Sequence, residues 1–226
     1  TDGTNSTTQS ITVSVTNLND NFPVFTSSAS LSANENQTTI GTVAASDADG
    51  NTLSYSISGT DASSMGINSS SGALTFNSAP DYETKSSYSV TATASDGTNS
   101  TTQSITVSVT NLNDNSPVFT SSASLSANEN QTTIGTVAAS DADGNTLSYS
   151  ISGTDASSMG INSSSGALTF NSAPDYETKS SYSVTATASD GTNSTTQSIT
   201  VSVTNLNDNS PVFTSSASLS ANENQT

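Results

Sequence analysis

The chain of 226 residues contains no cysteine, histidine, tryptophan or arginine, and its only cations, Lys85 and Lys179, face 19 acidic residues. Each absence removes a class of chemistry. Without cysteine there is neither disulfide nor thiolate nucleophile. Without histidine there is no imidazole base and no ordinary zinc or haem ligand set. Nucleic-acid binding needs clustered lysine or arginine to neutralise phosphates, and two isolated lysines supply none. No apolar run approaches the roughly 20 residues that a membrane-spanning helix requires. What remains is an acidic, Ser/Thr-rich chain of net charge −17, whose natural counter-ions are metal cations.

An apolar content of 30% at this charge lies close to the composition of disordered chains. The order of the residues argues otherwise. Val, Ile, Tyr and Phe alternate with Ser and Thr, the period-2 pattern of strands with one buried and one small, polar face.

The segment Ala94 to Asn115 recurs at Ala188 to Asn209, and a partial copy runs from Asp2, with Phe22 where the later copies carry Ser116 and Ser210. Asp2, Asp96 and Asp190 mark a period of 94 residues. That is too long for a solenoid repeat and suits an independently folded small β domain. Pro23, Pro117 and Pro211 each follow an Asn/Asp-rich run and set the phase. Residues 23–116 and 117–210 read as whole repeats, 1–22 as the last strand and linker of a preceding one, and 211–226 as the first strand of a following one.

Within the first repeat the alternation predicts strands over 24–33, 39–46, 52–57, 65–68, 73–77, 87–95 and 101–112, with a glycine turn at Gly72. Seven strands with frequent turns and no helical period predict an antiparallel β-sandwich with a lean core.

Eight acids fall in each whole repeat, nearly all in turns and strand ends. Turns favour Asp and Asn for local hydrogen bonds, so one such run means little. Five per repeat, at Glu35, Asp47-Ala-Asp49, Asp81-Tyr-Glu83, Asp96-Gly and Asn111 to Asn115, point to an oxygen-rich site for a hard cation. Calcium suits it better than magnesium, which retains its waters. An EF-hand does not fit: counted from Asp47, position 6 is Thr52 and position 12 is Ser58.

Taken in order, Pro23-Val-Phe, Ala33-Asn-Glu35-Asn, Asp47-Ala-Asp49-Gly, Tyr55-Ser-Ile57, Gly72-Ala-Leu74-Thr, Asp81-Tyr-Glu83, Ala94-Ser-Asp96-Gly and Asn113-Asp114-Asn115-x-Pro117 resemble the signature of a cadherin repeat. The near-identity of the copies and the lack of cysteine are more similar to bacterial cadherin-type surface repeats than to animal cadherins. The resemblance implies an all-β fold of tandem seven-stranded antiparallel Greek-key sandwiches, cadherin/immunoglobulin-like. It also implies an extracellular location, at a cell surface or secreted, and about three Ca²⁺ at each complete junction between repeats.

Carried over by motif, the central junction would draw on Glu35, Asp81 and Glu83 at the base of one repeat. The linker would give Asn111, Asn113, Asp114 and Asn115, and the top of the next repeat Asp141, Asp143 and Asp190. An upstream set retains Asn17, Asn19, Asp20, Asn21, Asp47, Asp49 and Asp96. A downstream set retains Glu129, Asp175, Glu177, Asn205, Asn207, Asp208 and Asn209. The first linker position is Asn at 17, 111 and 205 where the family usually has Asp, which removes one negative charge per junction. Asp61 and Asp155 match no motif and read as solvated loop residues.

The leading functional expectation is a calcium-rigidified extender of a surface adhesin or fibre, its partners the neighbouring repeats of the same chain. The alternative is that identical chains associate laterally or head-to-tail, as a filament or by homophilic adhesion. Glycan binding would need exposed aromatics, and catalysis by Asp81 and Glu83 fits poorly with their copying into every repeat. Neither nucleic-acid partners nor membrane insertion is expected.

Overall fold

A computed structural model describes residues 3–218, 220 and 223. The chain forms two compact units, Thr1–Leu112 and Asn113–Thr226. In the first, the strands are β1 (Val24–Phe25), β2 (Ser30–Asn34), β3 (Thr39–Thr42), β4 (Ala45–Ser46), β5 (Ser54–Ser58), β6 (Met65–Ile67), β7 (Ala73–Phe76), β8 (Ser87–Ser95) and β9 (Ser100–Thr110), with a 3₁₀ turn at Ala62–Ser64 before β6. A four-stranded sheet in the order β2-β9-β8-β5 faces a three-stranded sheet in the order β3-β7-β6, and β1 pairs with β4. The result is an all-β sandwich.

Side-chain alternation produces the two faces. Along β9, Ile105, Val107 and Val109 are buried while Ser104, Thr106 and Ser108 are exposed. On β8, Val90 lies opposite Ile105 and Tyr88 opposite Val107. The three-stranded sheet answers with Leu74, Phe76 and Met65, and Ile40 and Val43 close the core. Each fully buried aliphatic or aromatic side chain contributes about 1.5–3 kcal/mol relative to exposure. Fully buried Ala92 and Ala94 contribute little, so the core is thin.

The structure departs from the sequence expectations in three places. The first strand, expected over 24–33, is two strands in different sheets. Between them the backbone N–H groups of Thr26 and Ser27 donate to the carbonyl of Ala44, and the Ser27 hydroxyl accepts from the Ala44 N–H at 3.0 Å. These side-chain and backbone bonds substitute for a ladder and turn the chain across the sandwich. The expected strand over 39–46 divides in the same way into β3 and β4.

Second, the sandwich is not wholly antiparallel: β2 runs parallel to β9, with Leu31 opposite Val107 and Ala33 opposite Val109. A chain that enters a sandwich at one end and leaves at the other runs its first and last strands in the same direction, and these two are hydrogen-bonded. Third, no strand forms over the described residues of 1–22 or 211–226, and Ile11, Val13 and Val15 stand exposed. Residues 6–16 carry the sequence of β9, but a strand exists only with partners. In the whole unit those partners are β2 and β8, which flank β9 in the four-stranded sheet.

The second unit repeats the first as β10 (Val118–Phe119), β11 (Ser124–Asn128), β12 (Thr133–Thr136), β13 (Ala139–Ser140), β14 (Ser148–Ser152), β15 (Met159–Ile161), β16 (Ala167–Phe170), β17 (Ser181–Ser189) and β18 (Ser194–Thr204). Its sheets have the same order, including the parallel pair β11 and β18.

Candidate metal centre

Each unit carries two acidic ends. At the base of the first, β2 runs out at Asn34 and Asn36 adopts a left-handed φ of 61°, which Asn tolerates better than most residues. Its N–H donates to the Pro80 carbonyl at 3.0 Å, and the reversal turns Glu35 inward, only 1% exposed. The two Glu35 oxygens accept from different segments, Oε2 from Tyr82 N–H at 2.9 Å and Oε1 from Leu112 N–H at 2.6 Å. Asp81 folds its own turn, its Oδ1 accepting the Glu83 N–H at 3.0 Å and its Oδ2 the Thr84 hydroxyl at 2.8 Å. The Thr84 hydroxyl is the main influence holding the Asp81 carboxyl below the usual value of 3.8. Glu35 and Glu83 bring carboxylate oxygens within 4.8 Å of each other.

The second unit repeats this base. Glu129 is 1% exposed and holds Tyr176 N–H at 2.9 Å and Leu206 N–H at 2.6 Å. Glu129, Asp175 and Glu177 together place carboxylate oxygens within 4.8 Å of one another. Beyond β18, Asn205 donates to Glu177 at 3.0 Å and Asp208 accepts from Asn130 at 2.6 Å. Asn209 donates to Asp208 at 3.1 Å, and Asn207 is exposed.

The top of the first unit gathers the upstream set. Asp49 is the centre of the grip: its Oδ2 accepts the N–H groups of Asp20 and Asn21 at 3.0 and 2.8 Å, and its Oδ1 the Asn21 amide at 2.9 Å. Asn17 donates to the Asp49 carbonyl and Asn19 to the Thr98 hydroxyl. The Asn21 N–H is the largest of the influences that hold the Asp49 carboxyl below its ordinary value. Asp96 Oδ1 accepts from Thr98 and Asn99 N–H at 2.7 and 2.6 Å. Burial pushes that carboxyl up, but these amide bonds together outweigh it and the net shift is downward.

At the top of the second unit, Asp143 holds the Asp114 and Asn115 N–H groups at 3.1 and 2.9 Å and the Asn115 amide at 2.8 Å. Asn113 donates to Thr192, and Asp190 Oδ1 holds the N–H groups of Thr192 and Asn193. Asn111 lies half-buried just beyond β9 in the first unit.

The donor set suits a hard cation by a direct test. Asp47 Oδ1 accepts N–H groups from Asp49 and Asn51, whereas its buried Oδ2 has no hydrogen-bond partner. Asp141 Oδ2, Asp190 Oδ2 and Asn19 Oδ1 share that condition. A buried carboxylate oxygen without a partner is costly unless a cation meets it. All of these groups are oxygen ligands of the kind calcium prefers.

Two features escaped the sequence reading. Asn99 and Asn193 tie the linker to the top, donating to the Asn21 and Asn115 carbonyls at 3.1 and 3.2 Å. Their only sequence signal is a place three residues after Asp96 and Asp190. Asp61 and Asp155 are not solvated loop residues: both are buried at 9% exposure. Asp61 Oδ1 accepts from Lys85 Nζ at 2.5 Å and its Oδ2 from Ser89 N–H at 2.8 Å. Asp155 does the same with Lys179 and Ser183. The lysine beside each carboxyl is the main influence that lowers it. Sequence reading missed the pairs because the partners lie 24 residues apart on different loops.

A family model described as "Cadherin domain" matches residues 27–110 and 121–204. Among solved structures the chain is similar to mouse cadherin-23 EC22-24, at a TM-score of 0.72 and 26% identity over 84% of this chain and 66% of that one. It is similar to human protocadherin-24 EC1-2 at a TM-score of 0.68 and 26% identity, over 84% of this chain and 100% of that one. It also resembles protocadherin gamma B2 extracellular cadherin domains 3-6, at a TM-score of 0.70 and 25% identity over 85% of this chain and 53% of that one. The chain thus spans just under two thirds of the first of these and about half of the last. Comparison with curated protein sequences gives no match.

Proposed function

This chain belongs to the cadherin-domain family of non-catalytic extracellular adhesion modules, and on that premise we propose that its repeats bind calcium at their acidic ends and associate with identical chains. The observation that carries the reading is the trio Glu129, Asp175 and Glu177, whose oxygens lie within 4.8 Å of one another around a buried glutamate. Three like charges at that separation repel strongly unless a cation joins them. Bound Ca²⁺ would supply a centre accepting about six to eight oxygens.

In this reading the repeat units run 23–116 and 117–210. A complete junction combines Glu35, Asp81 and Glu83 with Asn111, Asn113, Asp114, Asn115, Asp141, Asp143 and Asp190, and takes about three ions on the family pattern. Glu35 fixes the backbone where the linker begins, and Asp143 fixes it where the next repeat begins. Asn17, Asn111 and Asn205 offer neutral oxygens at the first linker position, so affinity falls below that of a junction with Asp there.

The family likeness supports adhesion between copies, and identical tandem repeats offer the identical surfaces that such assembly uses. A passive, calcium-stiffened extender is the second reading, supported by the repulsion that the crowded carboxylates would otherwise exert between neighbouring segments. Near-identical repeats without cysteine favour a bacterial surface protein as the parent. Sedimentation velocity with calcium and with EDTA separates the readings. Calcium-dependent dimers or larger species are expected, and a monomer under both conditions would remove the adhesive reading. An end-to-end dimension by small-angle scattering that ignores EDTA would remove the extender.

A further inference from the structure

We propose that the pair Lys85 and Asp61, with its copy Lys179 and Asp155, is a latch that positions the glutamate-bearing turn of the calcium site. The proposal rests on the calcium reading above and assigns work to residues outside every ligand motif. The turn from Asp81 to Lys85 is a single loop closed by the Lys85 N–H on the Asp81 carbonyl at 2.9 Å. Its front is held by the Tyr82 N–H on buried Glu35. Its back is held by Lys85, whose Nζ reaches Asp61 at 2.5 Å and lies 4.6 Å from the centre of the Tyr88 ring. Tyr88 is itself packed edge-on against Phe76, with ring centres 4.9 Å apart.

Asp61 is a rigid anchor. Besides Lys85 it holds the Ser89 N–H at 2.8 Å, and its own N–H donates to the Ser89 carbonyl at 3.2 Å. The turn is therefore clamped between β2, through Glu35, and β8, through Asp61. Glu83 lies between the two clamps with its carboxylate beside that of Glu35. Lys85 is the only cation of its repeat. Paired with Asp61, it is kept off Asp81 and Glu83, where a bound ammonium would occupy the oxygens that an ion needs.

The sign of one substitution separates positioning from simple charge. Removing a lysine makes the neighbourhood more negative, so Coulomb's law alone predicts tighter calcium binding. A latch predicts the reverse. The experiment is calcium titration by calorimetry on the whole chain with both copies changed: Lys85→Met with Lys179→Met, Lys85→Arg with Lys179→Arg, and Asp61→Asn with Asp155→Asn. Melting curves in EDTA establish that each variant is folded.

The expected result is about three- to tenfold weaker binding in the Met and Asn variants, an unchanged number of ions, and recovery to within about twofold in the Arg variant. Faster amide exchange at Glu83 and Thr84 in the calcium-free Met variant is expected as well. Should the Met variant be unfolded, the Arg variant and the exchange at Glu83 in the Asn variant carry the test. Unchanged or tighter binding in a folded Met variant overturns the latch while leaving the calcium reading intact. A native chain that takes up no calcium overturns the calcium reading, and the latch with it.

Discussion

The Glu35 carboxylate accepts the backbone N–H of Leu112, 77 residues away in sequence, at 2.6 Å. With its other oxygen on Tyr82, this one buried anion joins the end of β2, the acidic turn and the chain beyond β9. A carboxylate oxygen has room for about two bonds, so each still has a lone pair to offer a metal.

Glu35→Ala leaves two backbone N–H groups without their acceptor at a buried site. The expected loss is about 2–3 kcal/mol of stability in EDTA, read from urea denaturation. Glu35→Gln retains one acceptor and is expected to lose less stability, while the calcium binding proposed at that base is expected to weaken, because a neutral amide oxygen replaces a carboxylate. Equal stability for Ala and native protein would show that the clamp is idle.

Acid should unfold the calcium-free chain in one direction only. Asp49, Asp61, Asp81 and Asp96 are all held below 3.8 in the folded state. A lowered carboxyl contributes stability that is fully present above its unfolded value and is lost as pH falls through the folded one. Stability is therefore expected to be flat from pH 7 to about 5 and to decline below about 4. With no histidine in the chain, a transition near pH 6 would contradict this account.

Gly72 cannot be replaced cheaply. Its φ is +69°, and an added Cβ would lie 2.0 Å from the Val43 carbonyl oxygen, which is backbone and has no rotamer to yield. Gly72→Ala is expected to cost about 2–4 kcal/mol or to unfold the repeat, well above the usual effect of a surface change. Gly50 also has positive φ, +77°, but nothing lies within 4 Å of its added Cβ, so Gly50→Ala should cost only about 1 kcal/mol. Thermal melts of the two variants make the comparison.

Asn193→Ala removes the amide that holds the Asn115 carbonyl at 3.2 Å. A loss of about 1 kcal/mol is expected, with faster amide exchange confined to residues 113–116 and 190–193. Exchange spreading through β17 and β18 would mean that the amide supports the sandwich rather than the linker.

The 94-residue period, the alternation of Val and Ile with Ser and Thr, and the order of acidic motifs are all local in sequence. They determined the all-β class, the tandem repeat and the grouping of carboxylates at turns. Strand β8 coincides with the expected 87–95, because both its faces are set by its own alternation. The division of the first strand was not readable in this way, since it depends on the Ser27 hydroxyl meeting Ala44 in the connection between β3 and β4. Nor was the parallel pairing of β2 with β9, a consequence of where the chain enters and leaves the sandwich. Asp61 shows the limit most plainly. By sequence it is one polar residue in a Gly/Thr/Ser loop; its burial and its lysine are supplied by a segment 24 residues further on. Alternation and turn chemistry act over a few residues and can be read along the chain. Which carboxylate oxygens are left without a hydrogen-bond donor, and which carboxylate captures the repeat's single lysine, depends on how folding brings distant segments together.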